Sequence, residues 1–91
     1  MYDYEIHPDL QKILEKLIKK DNLTRERIIK KIEEIISSFN VEHYKNLKKD
    51  LKDLKRVHIR EKVLVFRFYK KDNLIVFLDF DHHDKIYRRK M

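Results

Sequence analysis

Leu74-Ile-Val-Phe-Leu-Asp-Phe80 is apolar at every position but one, and no other stretch of the chain is so uniformly hydrophobic. A run of this length bounded by charged residues predicts a strand covered on both faces, and so a central strand rather than an edge. Asp72-Asn73 just before it supplies turn residues, which makes the run the second arm of a hairpin. With 91 residues in all, there is room for one small domain, residues 1–91, built as one layer of helix on one sheet. The other segments must therefore provide the strand's neighbours and its cover.

The cover comes first in the chain. Met1 to His7 alternates weakly, as a short strand would, and stops at Pro8, a residue suited to the first turn of a helix. Leu10, Ile13, Leu14, Leu17 and Ile18 then recur at helical spacing, with Lys and Glu opposite. Asp21-Asn22 breaks the pattern. Asn22 or Thr24 can cap a second helix with its stripe at Ile28, Ile29, Ile32, Ile35, Ile36 and Phe39. Residues 41–53 read as a connector or short irregular helix with lysines at 45, 48, 49 and 52, either solvated or in contact with phosphates.

From Arg56 the period changes to alternation. Val57 and Ile59 share one face, and Arg56, His58 and Arg60 the other. In Lys62 to Tyr69, the large residues Leu64, Phe66 and Phe68 share a face, with Val63, Val65, Arg67 and Tyr69 opposite. Helices covering the apolar set would leave Arg56, His58, Arg60 and Arg67 on an open, basic face. The expected fold is α+β: two N-terminal helices on one face of a small, mainly antiparallel twisted sheet, in the order β-α-α-β-β-β.

Charge narrows the partners. Lys and Arg number 23 against 16 Asp and Glu, a net charge of +7, with a pI near 9.6. Such a balance favours a polyanion, most often nucleic acid. Cysteine is absent, which excludes disulfides and thiolate chemistry, and glycine is absent, which excludes a glycine-rich phosphate loop and leaves positive-φ turns to Asn or Asp. Nothing reads as a signal peptide or a membrane span, so a cytoplasmic protein without membrane association is expected.

The segment after the central strand concentrates reactive groups: Asp79, Asp81, His82, His83, Asp84, Lys85, Tyr87, Arg88 and Arg89. Histidine and tyrosine can move protons, and lysine and arginine can hold phosphate. Combined with the basic face, such a tip can grip RNA and cut it. Each residue also has a plainer reading: the arginines as solvated cross-strand partners of acidic residues, Tyr87 with Ile86 as an anchor for the tail. The Asp/His donors suit a divalent ion, but neighbouring strand residues point to opposite faces, so no metal site is expected.

Tyr44-Lys-Asn-Leu-Lys, Arg56-Val-His-Ile, Val63-Leu-Val-Phe-Arg-Phe and His82-His-Asp-Lys-Ile-Tyr-Arg88, in this order of elements, resemble the RelE/ParE toxin superfamily over nearly the whole chain, and its archaeal RelE branch most. The closing motif is the most specific part. The resemblance implies the toxin of a type II toxin–antitoxin system, a ribosome-dependent endonuclease that cuts mRNA in the ribosomal A site by 2′-hydroxyl attack, without metal or cofactor. It also implies a RelB-like antitoxin bound in a hetero-oligomer. By position it places the family's basic second-strand residues on Arg56, His58 and Arg60, its C-terminal catalytic residue near His83 and its closing tyrosine on Tyr87, so Arg60, His83 and Tyr87 are the expected catalytic residues; Arg56 and His58, joined on their own chemistry by Lys62, Arg67, His82, Lys85, Arg88 and Arg89, are the expected RNA or phosphate contacts. One departure stands out: where bacterial RelE toxins open the third strand with arginine, this chain has Val63 beside Lys62, leaving Arg60 or Arg67 to substitute. The alternatives are a ParE-like topoisomerase inhibitor and a weakly catalytic paralogue that binds its antitoxin.

Overall fold

The computed structural model describes residues 1–90. Strand β1 (Asp3–Ile6) leads into helices α1 (Pro8–Lys20) and α2 (Asn22–Ile36). A connector with two 3-10 turns (Val41–His43 and Lys49–Leu51) then enters β2 (Lys55–Ile59), β3 (Lys62–Tyr69), β4 (Leu74–His82) and a third helix, α3 (His83–Lys90). The strands form one sheet in the order β1-β4-β3-β2. β4 is central as expected, pairing antiparallel with β3 and parallel with β1, which makes the sheet mixed.

Local chemistry sets the helix boundaries. The imidazole Nδ1 of His7 accepts from the backbone N–H of Asp9 at 3.1 Å, with Pro8 in the first turn. Asp21, rather than Asn22 or Thr24, caps α2: it accepts from the Thr24 N–H at 3.1 Å and from the Thr24 hydroxyl at 2.6 Å. α2 ends at Ile36, so Phe39 falls outside the stripe and is fully exposed.

The main core lies between α1, α2 and one sheet face. Leu10, Leu14, Ile28, Ile32 and Ile35 meet Ile59, Leu64, Phe66, Ile75, Phe77 and Phe80, with Val57 and Phe68 at its edge. Phe77 and Phe80 are three apart and would face opposite sides of a regular strand. They share a side because the β3–β4 register slips: Val65 opposes Asp79 while Phe66 opposes Phe77, leaving Leu78 as an extra residue. The bulge turns Leu78 and Asp79 to the other face.

That other face is not open. Leu47 and Leu51 from the connector and Ile86 from α3 bury Val63 and Val65 in a second core, flanked by Leu54, Leu78 and Tyr87. The expected continuous basic face is therefore replaced by a second layer of cover. The segment after β4 is likewise a helix rather than an extended tip. Its apolar signal is a single buried residue, Ile86, among charged ones, too little to show as a helical stripe.

Among the described residues three adopt positive φ: Lys49 (59°), Arg60 (60°) and Asn73 (51°). Asn73 closes the β3–β4 turn as expected. Lys49 and Arg60 depart from the expectation that only Asn or Asp would fill such positions.

Candidate active site

The second layer creates a cleft. β4 passes directly into α3, so His83 stands in the helix's first turn and Tyr87 one turn later on the same side. Their rings meet edge to face, with centroids 4.9 Å apart and an interplanar angle of 74°. The connector closes over them: the backbone N–H of Lys48 donates to the Tyr87 hydroxyl at 2.5 Å. With one lone pair engaged, the hydroxyl keeps its own proton to donate.

The connector is held against the edge strand β2. The Leu47 N–H donates to the Leu54 carbonyl at 2.8 Å and the Arg56 N–H to the Lys45 carbonyl at 2.9 Å. The ammonium of Lys55 donates to the Tyr44 carbonyl at 3.0 Å, the Asn46 amide oxygen at 2.9 Å and the Glu42 carbonyl at 3.2 Å. Partial burial lowers the Lys55 pKa, partly opposed by Glu42, and three acceptors mark it as a structural tie. The product is a cleft of ≈ 280 Å³ lined by Asn46, Lys48, Lys49, Arg56, His83 and Tyr87. Its lining has three cationic side chains and no carboxylate.

Nearby carboxylates are neutralised in place. Buried Asp79 accepts from Arg89 at 2.9 and 3.2 Å, and Asp81 accepts from the same guanidinium at 2.8 Å, with Lys90 a further 3.6 Å from Asp79. Burial raises the Asp81 carboxyl, but the Arg89 hydrogen bond, the His82 N–H and the charges of Arg89 and Lys85 outweigh it and hold the group below its ordinary value. Arg89 is raised in turn, chiefly by its bond to Asp81. Among the described residues no three His, Asp or Glu side chains converge as a metal site would require.

Of the residues singled out from sequence, the structure gathers Arg56, His83 and Tyr87 and disperses the rest. Arg60 sits at the tip of the β2–β3 hairpin and does not line the cleft. There it and Lys62 face Asp21, whose carboxyl is lowered first by its Thr24 hydrogen bonds and then by these two charges. The Lys62 ammonium lies 5.7 Å from the Phe80 ring centre, and the Arg67 guanidinium 4.8 Å from that of Tyr69. Val63 is fully buried in the second core, so its position has no access to the cleft. His58 is exposed on the edge strand, His82, Lys85 and Arg88 are exposed around α3, and Arg89 serves as the clamp on Asp79 and Asp81. Lys48 and Lys49, two of the connector lysines open from sequence to phosphate contact, line the cleft together with Asn46, which carried no such signal; Leu47 and Leu51 pin the connector against Val63 and Val65.

Comparison with known proteins agrees with this architecture. Residues 4–87 match the family model described as the ParE toxin of the type II toxin–antitoxin system parDE. A Methanocaldococcus jannaschii protein named "Putative toxin RelE4" is 50% identical over 91 residues, covering 99% of this chain and 95% of its own. The fold matches the toxin–antitoxin complex RelBE2 of Mycobacterium tuberculosis (TM-score 0.73, 17% identity, 90% of this chain and 98% of that one). It also matches the intact Escherichia coli RelBE complex (TM-score 0.68, 19% identity, 90% and 96%). The chain thus belongs to the RelE/ParE superfamily of type II toxin–antitoxin toxins and is of the archaeal RelE type.

Proposed function

We propose that this toxin is an endoribonuclease that cuts mRNA in the ribosomal A site, using the cleft between the connector, β2 and α3. The observation that carries the reading is the convergence of His83, Tyr87 and Arg56 with two lysines in a single lining free of carboxylates. Arg56, Lys48 and Lys49 hold the scissile phosphate and the charge that grows on it as the 2′-oxygen attacks. An imidazole is the better proton acceptor near neutral pH, so His83 takes the 2′-hydroxyl proton. Tyr87, whose oxygen accepts from the Lys48 N–H and whose own O–H remains to donate, gives its proton to the departing 5′-oxygen. The P–O5′ bond breaks as the P–O2′ bond forms, giving a cyclic phosphate and a 5′-hydroxyl. The RelBE complexes that share the fold support an antitoxin partner for this chain too.

The test is primer extension on mRNA from ribosomes stalled with an empty A site, with and without the protein. A new stop inside the A-site codon is expected, with His83→Ala and Tyr87→Phe each slowing cleavage by about 10²–10⁴-fold while the circular dichroism spectrum is retained. Wild-type rates from the double variant would end the assignment. The matched family model is a ParE model, which favours topoisomerase inhibition as the second reading. Intact mRNA together with blocked gyrase supercoiling would establish it.

A further inference from the structure

A second basic cleft lies between α2 and β2. It measures ≈ 260 Å³ and is lined by Arg27, Lys30, Lys31 and Glu34 of α2 with His58 and Ile59 of β2. Lys31 and Glu34 pair at 2.9 Å, and Glu34 is the one carboxylate against three fixed cations. Arg27 Nη1 is buried and, among the described residues, has no hydrogen-bond partner. A buried guanidinium nitrogen left without an acceptor is costly, and an anion's oxygen would satisfy it.

Arg56 lines the first cleft and His58 the second. Two residues apart on one strand, they sit about 7 Å from each other, roughly one nucleotide step. β2 is the edge strand of the sheet, and among the described residues the connector's backbone hydrogen bonds to its outer edge run only as far as Arg56, short of His58. We infer that the α2–β2 cleft is a second phosphate site, which holds the backbone of the same RNA as it leaves the cleavage cleft across the β2 edge. The inference rests on the endoribonuclease reading for its ligand, but the binding it asserts does not depend on cleavage.

Binding of a short fluorescein-labelled single-stranded RNA to the full chain, followed by anisotropy across a salt titration, tests it. Replacing all three cations (Arg27→Gln, Lys30→Gln, Lys31→Gln) should weaken binding about 10–100-fold and flatten the slope of log K against log salt by about 0.7, the contribution of one phosphate neutralised on a single strand. Glu34→Gln, at a half-exposed position, should tighten binding several-fold by freeing Lys31; it keeps the test decisive if the triple variant folds poorly. Unchanged affinity and slope in the triple variant, or unchanged affinity in Glu34→Gln, would overturn the second site. Ribosome-dependent cleavage measured alongside separates the two ideas. Shifted slopes with no cleavage leave the second site standing without the nuclease, and cleavage with unshifted slopes removes the second site alone.

Discussion

Arg56 and Arg60 are four residues apart on one hairpin, Arg56 within strand β2 and Arg60 at its turn, both basic, and their surroundings divide them. Arg56 is half-buried in the cleft beside His83 and Tyr87, whereas Arg60 occupies the hairpin tip at φ 60°. Arg56→Gln is expected to slow cleavage by about 10²–10³-fold, the usual effect of removing one donor aimed at developing charge. Arg60→Gly is expected to leave the rate unchanged and to raise stability by up to about 1 kcal/mol, because a left-handed backbone strains any residue with a Cβ. Single-turnover cleavage and urea melts measure both. A rate loss in Arg60→Gly would return Arg60 to the catalytic set. The strand residues were assigned correctly to faces from their alternation, but alternation carries no information about which strand end faces a site, and that is where Arg60, Lys62 and Arg67 part from Arg56.

At the scale of elements, α3 decides whether there is a site at all. Eight residues are too few for a helix to persist alone in water, where about 12–15 are needed. It persists because Ile86 is buried against Val63 and Val65 and because Arg89 and Lys90 reach back to Asp79 and Asp81. Removing the buried methylenes in Ile86→Ala is expected to cost about 2–4 kcal/mol and to abolish cleavage by freeing His83 and Tyr87; a modest melt shift with full activity would show the helix to be dispensable. The clamp also gives a pH signature. The Asp81 carboxyl lies below its ordinary value of 3.8 in the folded chain, so its contribution is present in full above that value and is lost as pH falls through the lower folded one. Asp81→Asn should therefore cost about 1 kcal/mol at neutral pH, allowing for solvent around the half-exposed Arg89. That difference should shrink towards zero in urea melts taken progressively below pH 3.8. A constant difference across the acid range would place the effect elsewhere.

Across the whole molecule, two cores share one sheet: Val63 and Val65 point into one, Leu64 and Phe66 into the other. Neither layer can detach without exposing strand residues that the other also depends on. A single cooperative unfolding transition is thus expected, with coincident midpoints from far-ultraviolet circular dichroism and from tyrosine fluorescence; separate midpoints would mean that α3 and the connector melt independently. The sequence by itself determined the amphipathic helices, the hairpin with Asn73 at its turn, the central position of β4 and the basic character of the surface, because each follows from local periodicity, backbone preference or summed charge. It also concentrated histidine, tyrosine and basic residues after β4, from which the resemblance to the RelE/ParE toxins set His83 and Tyr87 apart. Only the tertiary structure decided that the second sheet face is covered, that Val63 is core, that Arg89 clamps Asp79 and Asp81, and that Lys48 and Lys49 join the cleft. Those outcomes depend on contacts between segments some forty residues apart, such as the Lys48 N–H and the Tyr87 hydroxyl, and on a one-residue bulge that changes which face each side chain occupies. No local pattern encodes either one.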